Sequence, residues 1–234
     1  MFYISERIKL SLLLSFLLQG ITVTHNYPGL LCVIEGIDGS GKTTVVQNLQ
    51  TLFDQTNIDT LITKEPGATQ LGKQIRHILL EQTSPTCAKA EFLLFAADRA
   101  QHFETVITAH LQKGSLIISD RMSDSSLAYQ GYVKGVDLSM ISAVNRWCMQ
   151  DIQPDIVFYL RIDAQTAIDR IKNSRGLPNK FEETILAKMQ TLINGFETIL
   201  AQRSNVIILD ANTDPEILTQ KIFEIIMNRI DNRS

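Results

Sequence analysis

The eight residues Gly36-Ile37-Asp38-Gly39-Ser40-Gly41-Lys42-Thr43 constrain this chain more than any other stretch. The nearly continuous apolar run "LLCVIEG" precedes them, as in a strand buried on both faces of a parallel sheet. After them, "KTTVVQNLQTLFDQ" sets Val45, Val46, Leu49, Leu52 and Phe53 on one helical stripe. The glycine-rich stretch must therefore turn the chain from a strand into a helix. Small residues there let backbone N–H groups converge on phosphate oxygens, and the helix N-terminus adds a favourable dipole. The spacing matches GxxxxGK[ST] at every fixed position, which is far more specific than a bare GxG. Lys42 can reach β- and γ-phosphates, and the Thr43 hydroxyl can ligate Mg²⁺. Residues 36–43 thus read as a cradle for a nucleoside triphosphate, with magnesium as cofactor.

Composition limits what else the chain does. Its 234 residues are 44% hydrophobic, enough for one α/β domain with a sizeable core. Twenty-two basic residues stand against 25 acidic ones, for a net charge of −3, so nothing suggests a nucleic-acid surface and any anion site must be local. The cysteines Cys32, Cys87 and Cys148 form no CxxC pair, and the four histidines show no HxxxH or HExxH spacing. Reduced thiols in a cytoplasmic protein are expected, rather than disulfides or a transition-metal site. Residues 1–29 carry "RIKLSLLLSFLLQGITV", basic residues ahead of an apolar run as in a signal peptide, but without a clear small-x-small cleavage site and short for a membrane span. The expectation is a non-catalytic extension, either an extra packed helix or the product of an upstream start codon.

From residue 30 onward, strands and helices alternate. "IDTLIT" (Ile58–Thr63), "SLIISD" (Ser115–Asp120), "DIVFYL" (Asp155–Leu160) and "NVIILD" (Asn205–Asp210) are four further short apolar strands. Helical segments at Leu71–Glu81, Cys87–Gln112, Leu138–Gln150, Ala164–Asn173, Phe181–Arg203 and Pro215–Ile230 separate them. The pattern predicts one domain over 30–234: a doubly wound parallel sheet of five strands, flanked by helices. Asp120 closes the strand "SLIISD", where it could hold Mg²⁺ through water or orient Arg121; a helix cap is the ordinary alternative.

"IEGIDGSGKTT", "TKEPGATQLGKQIR", "EFLLFAADRAQH", "SDRMSDSSLAYQG" and "PDIVFYLRID" occur in this order and spacing. Together they resemble the thymidylate kinase family from about Leu30 to the C-terminal helix. The resemblance implies a P-loop NTPase-type fold, phosphorylation of dTMP to dTDP by ATP, and a homodimer, for which the helix Cys87–Gln112 could supply the face. It implies no nucleic-acid or membrane partner.

Residue chemistry fits that implication. A monophosphate acceptor needs a cation for its phosphate, and Arg121 offers a fork that binds two oxygens at once. Arg76 is a second phosphate candidate, equally readable as part of a solvated helix face. Phe95 and Arg99, four apart, share one helix face; in the family the matching phenylalanine stacks on thymine and the arginine hydrogen-bonds its edge. Without the resemblance, Phe95 reads as core. By the same analogy Ser125, Ser126 and Tyr129 lie near the nucleoside, the tyrosine crowding the 2′ position, and Asp38 contacts the acceptor's 3′-hydroxyl. Glu65 and Pro66 are expected to shape the acceptor pocket.

Phosphoryl transfer brings like charges together, so catalysis is chiefly alignment and neutralisation. No arginine stands between Gly36 and Gly41, and the resemblance implies that the common bacterial type then supplies the cation from a short mobile lid, here the polar, basic segment "DRIKNSRGLPNKFEE". Arg175 is the expected lid cation, joining Lys42 and Arg121 in catalysis, with Lys172, Arg170 or Lys180 assisting. Departures from the family pattern are Lys64 for an arginine, Ala68 for a glycine, Met122 in place of the tyrosine of "DRY", and Lys180 for the arginine before "FE". A different small kinase, or a nucleotide-binding module without turnover, are the competing readings.

Overall fold

The computed structural model describes residues 25–80, 86–175, 187–201 and 203–233. Five strands form its frame: β1 (Leu30–Glu35), β2 (Thr60–Lys64), β3 (Leu116–Asp120), β4 (Ile156–Arg161) and β5 (Val206–Asp210). All pair in parallel, in the order β2-β3-β1-β4-β5. Every residue of β1 is buried, which explains its unbroken apolar run: a central strand has helices on both faces. The order reverses beside β1, so the carboxyl ends of β1 and β3 border a crevice of the kind where open α/β sheets bind ligands.

The helices are α1 (Lys42–Phe53), α2 (Gln70–Leu80), α3 (Ala88–His102), α4 (Thr108–Lys113), α5 (Ser123–Ser126), α6 (Leu138–Cys148), α7 (Ala164–Arg175), α8 (Met189–Leu200) and α9 (Pro215–Asp231). Helix α1 packs on α9, with the Phe53 and Phe223 rings 4.8 Å apart. On the other side α2 packs on α3, and α3 on α6. Local chemistry sets several starts: Asp214 accepts from Glu216 and Ile217 N–H ahead of Pro215, and Asp137 accepts from Met140 N–H.

Three expected elements differ. The single helix over Cys87–Gln112 is three segments, with a π-turn at Phe103–Ile107 between α3 and α4. Phe103, Ile107 and Leu111 are all buried at spacings of four. A strict α-helix would rotate such a series by about 40° per step, and the wider turn keeps it facing the core. A second π-turn, Leu127–Val133, continues α5. Strand β2 begins two residues later than expected, because the Thr56 hydroxyl bonds Phe53 O and Ile58 N–H and holds the preceding turn. The helix expected over Phe181–Arg203 appears as Met189–Leu200, its first residues lying outside the described ones.

The body begins before residue 30. His25 Nε2 lies 3.0 Å from Asp155 Oδ2, and Tyr27 packs against the main core.

Candidate active site

The loop between β1 and α1 closes as its residue types require. Gly39 has φ +83, and a Cβ there would stand 2.5 Å from Ala167 O on α7, so only glycine fits this turn against its neighbour. Lys42, at the first position of α1, turns back and donates to Ile37 O at 2.9 Å. Burial and the nearby Arg121 cation push its ammonium down to about 8, against the pull of Asp38, Asp120 and Glu35. Thr43 is exposed beside it on the first turn. Asp120 pairs in register with Ile34, and its Oδ1 is buried without a hydrogen-bond partner among the described residues. A hydroxyl and a carboxylate are the hard oxygens that suit Mg²⁺.

Arg121 joins this loop to the neighbouring cleft. Its guanidinium donates to Gly36 O at 2.9 Å, Ser125 Oγ at 3.1 Å, Asp38 Oδ1 at 2.5 Å and the Tyr129 hydroxyl at 3.3 Å, and it lies 5.2 Å from the Tyr129 ring centroid. A cation in the second cleft is thus bonded to the first residue of the phosphate loop. Tyr129 is buried, and burial raises its hydroxyl above the ordinary range. Ser125 hydrogen-bonds Glu35 and accepts from Arg121.

A third group builds the cleft's far wall. Glu65 bridges Arg99 Nε at 2.8 Å and His102 Nδ1 at 3.0 Å, and His102 Nε2 meets Thr63 Oγ1 at 2.8 Å. Burial alone would raise the Glu65 carboxyl; Arg99 and His102 outweigh it and hold the group below its ordinary value. Arg99 also donates to Ser126 Oγ, Asn145 Oδ1 and Met122 O, and is 1% exposed. Among the described residues, four of its five N–H donors are engaged within the protein and one at Nη2 is not. Phe95 is half-buried and lines a cavity of about 70 Å³ with Pro66, Arg76, Leu79, Leu80 and Glu91. Its ring therefore faces a cavity instead of being packed into the core. Arg76 Nη1 donates to Pro66 O at 3.1 Å, which ties α2 to the turn after β2.

The structure thus places residues 36–43, Asp120, Arg121, Ser125 and Tyr129 at the carboxyl ends of β1 and β3, links Arg99 to Glu65 and Ser126, and sets Pro66, Arg76 and Phe95 around the small cavity. Arg175 ends α7, and its side chain lies outside the described residues, as does all of Lys180. Arg170 Nη1 reaches Ala211 O at 3.0 Å and Gly39 O at 3.4 Å, whereas Lys172 is exposed. Sequence reasoning missed Glu35, Asp98, His102 and Asn145. Glu35 carried a signal, as a carboxylate inside an apolar run; Asn145 carried none. Asp98, whose Oδ1 accepts from Gly67 N–H, is pushed up to about 6 by burial and by Glu65.

The family model described as Thymidylate kinase matches residues 34–222. Three curated relatives, each named thymidylate kinase, align over most of their length. That of Halothermothrix orenii is 36% identical over 199 residues, covering 83% of this chain and 95% of its own. That of Prosthecochloris aestuarii is 38% identical over 204 residues, with 83% and 92% covered. That of Carboxydothermus hydrogenoformans is 39% identical over 188 residues, with 80% and 92% covered.

Proposed function

Because the chain belongs to the thymidylate kinase family, it is a kinase acting on dTMP, and we propose how its residues divide that work. The reaction transfers the γ-phosphoryl group of ATP to dTMP, yielding dTDP and ADP on the way to dTTP. One observation carries the division of labour: Arg121 hydrogen-bonds Gly36 of the phosphate loop and also Ser125 and Tyr129 of the segment after β3. An acceptor phosphate that displaces Asp38 and the Tyr129 hydroxyl from its fork would lie next to the donor's terminal phosphate, which is the alignment such a transfer needs.

Residues 36–43 bind the triphosphate, with backbone N–H groups and Lys42 offsetting its charge. Magnesium fits this site: Asp120 Oδ1 is a buried carboxylate oxygen without a hydrogen-bond partner among the described residues, and the Thr43 hydroxyl stands at the loop's end. Asp120 and the Thr43 hydroxyl are the residues that would hold the ion. When bound it would supply charge neutralisation between the phosphates. Arg121 and Arg76 hold the acceptor phosphate, Asp38 takes the 3′-hydroxyl, and Tyr129 with Ser125 borders the sugar. Phe95 stacks on the base, and Arg99 with Ser126 reads its edge, while Glu65 and Pro66 shape this wall. Arg175 supplies the remaining cation from the end of α7. Arg175→Ala should lower kcat by orders of magnitude with little change in dTMP affinity, and near-native kcat would remove it from the mechanism.

We assign the activity to residues 30–234 in the cytoplasm; among the described residues no helix is long and apolar enough to cross a membrane. A homodimer is part of the proposal. Leu93 on α3 and Met140 and Trp147 on α6 are large apolar side chains left exposed on a packed helix pair, Trp147 by 79%. The functional test is ADP release with ATP and Mg²⁺, measured without acceptor and then with dTMP, dUMP, dCMP, dGMP or thymidine. Release that depends on dTMP supports the reading, and ADP release indifferent to every acceptor would refute it.

A further inference from the structure

Glu35 ends β1 with no exposure at all, although a carboxylate is costly to bury without partners. Its partners all lie in the segment that follows Arg121. Oε1 accepts from Met122 N–H at 2.9 Å and Ser125 N–H at 3.3 Å, and Oε2 accepts from the Ser125 hydroxyl at 2.8 Å. Met122 is the N-cap of α5, and its side chain has no oxygen with which to cap. The carboxylate from β1 therefore does the capping, taking the N–H groups of the N-cap and third helical residues.

The backbone at Arg121 explains why such a brace is needed. Arg121 has φ +71, a left-handed conformation that a side chain disfavours. Such a residue persists only when its surroundings hold it. On its N-terminal side Arg121 N–H donates to Ile34 O at 3.0 Å, and its own carbonyl accepts from Ser119 Oγ at 2.8 Å. On its C-terminal side the next N–H belongs to Glu35. Ser125 adds a relay. Its hydroxyl proton points to Glu35, so its lone pairs face Arg121 Nη1 at 3.1 Å.

We propose that Glu35 is a positioning residue that holds the Arg121 turn, and through it the acceptor-phosphate clamp, in working geometry. The inference rests on the reading of Arg121 as that clamp. Glu35 touches no substrate and acts only through Arg121.

The test is steady-state kinetics on the full chain, varying dTMP and ATP separately, for wild type, Glu35→Gln, Arg121→Ala and the double variant. Glutamine keeps the size and one carbonyl acceptor but loses the charge. Glu35→Gln is expected to raise KM for dTMP at least about fivefold and to leave KM for ATP within about twofold. In the Arg121→Ala background the same change should add less than about twofold, because the residue it acts through is gone. An unchanged KM for dTMP in Glu35→Gln, both KM values rising together, or full additivity in the double variant would each overturn the proposal. If Glu35→Gln fails to fold, Glu35→Asp, whose shorter arm cannot serve both Met122 and Ser125, takes its place in the same cycle with the same expected and overturning results. Absence of dTMP turnover in the wild type would sink the kinase reading itself and this inference with it. Wild-type turnover with insensitive variants would sink this inference alone.

Discussion

Lys42 is 6% exposed and donates to a backbone carbonyl, with its ammonium pushed down to about 8 by burial and by the Arg121 cation. A triphosphate favours the charged ammonium, so the free protein loses ATP affinity once pH rises through that value. The kcat/KM for ATP should be flat below about pH 8 and fall up to about tenfold per unit above it, and a flat profile to about pH 9.5 would contradict the assignment. For folding the direction is opposite. Between about 8 and 10.5 the unfolded lysine holds the proton and the folded one does not, so this group adds stability as pH rises there. The role of Lys42 was legible in the sequence because the phosphate loop is local: every residue of the motif lies within eight positions. Arg99 was legible only as a name in a motif. Its four internal acceptors come from the turn after β2, the turn after β3, α5 and α6, segments that no local pattern links. Phe95 shows the same limit, since an apolar residue on an amphipathic helix looks alike whether it meets the core or a cavity.

Between elements, the contact of α2 with α3 decides where the acceptor wall stands. Gly72 on α2 is buried there, and a Cβ on it would stand 2.1 Å from Asp98 Oδ1 on α3. That oxygen holds Gly67 N–H at 3.1 Å, and Arg76 on α2 holds Pro66 O in the same turn. Gly72→Ala should therefore displace Asp98 and loosen the turn, costing about 1–3 kcal/mol of stability. It should also raise KM for dTMP severalfold more than KM for ATP, since the phosphate loop is not touched. A variant with native melting temperature and native KM for dTMP would show that this contact yields without consequence. The strands were readable to within one or two residues because each is a short, nearly continuous apolar run between polar turns. The π-turns were not. They answer to the burial of Phe103, Ile107 and Leu111 against the sheet, a demand that exists only once the helix is docked.

Across the whole molecule, Asp155 secures the end of the sheet opposite the crevice. It is fully buried, accepts from Leu31 N–H at 2.8 Å and from Arg233, and lies 3.0 Å from His25, so one carboxylate joins β1 to both ends of the described chain. Asp155→Ala leaves those partners uncompensated and should cost about 3–5 kcal/mol, a drop in Tm of roughly 10 °C or more for a domain of this size. Catalysis at low temperature should be nearly unchanged, because the site occupies the other end of the strands; an intact Tm would show that the latch holds nothing. By itself, the sequence determined the phosphate loop, the alternation of strands with helices and the parallel sheet these imply, since each depends on neighbours along the chain. Tertiary structure alone decided which charges meet. Glu35 with the Arg121 turn, Glu65 with Arg99 and His102, and Asp155 with the two ends are contacts between residues 34 to 130 positions apart. Their energies arise from burial and shared hydrogen bonds, and neither exists until the sheet has brought the partners together.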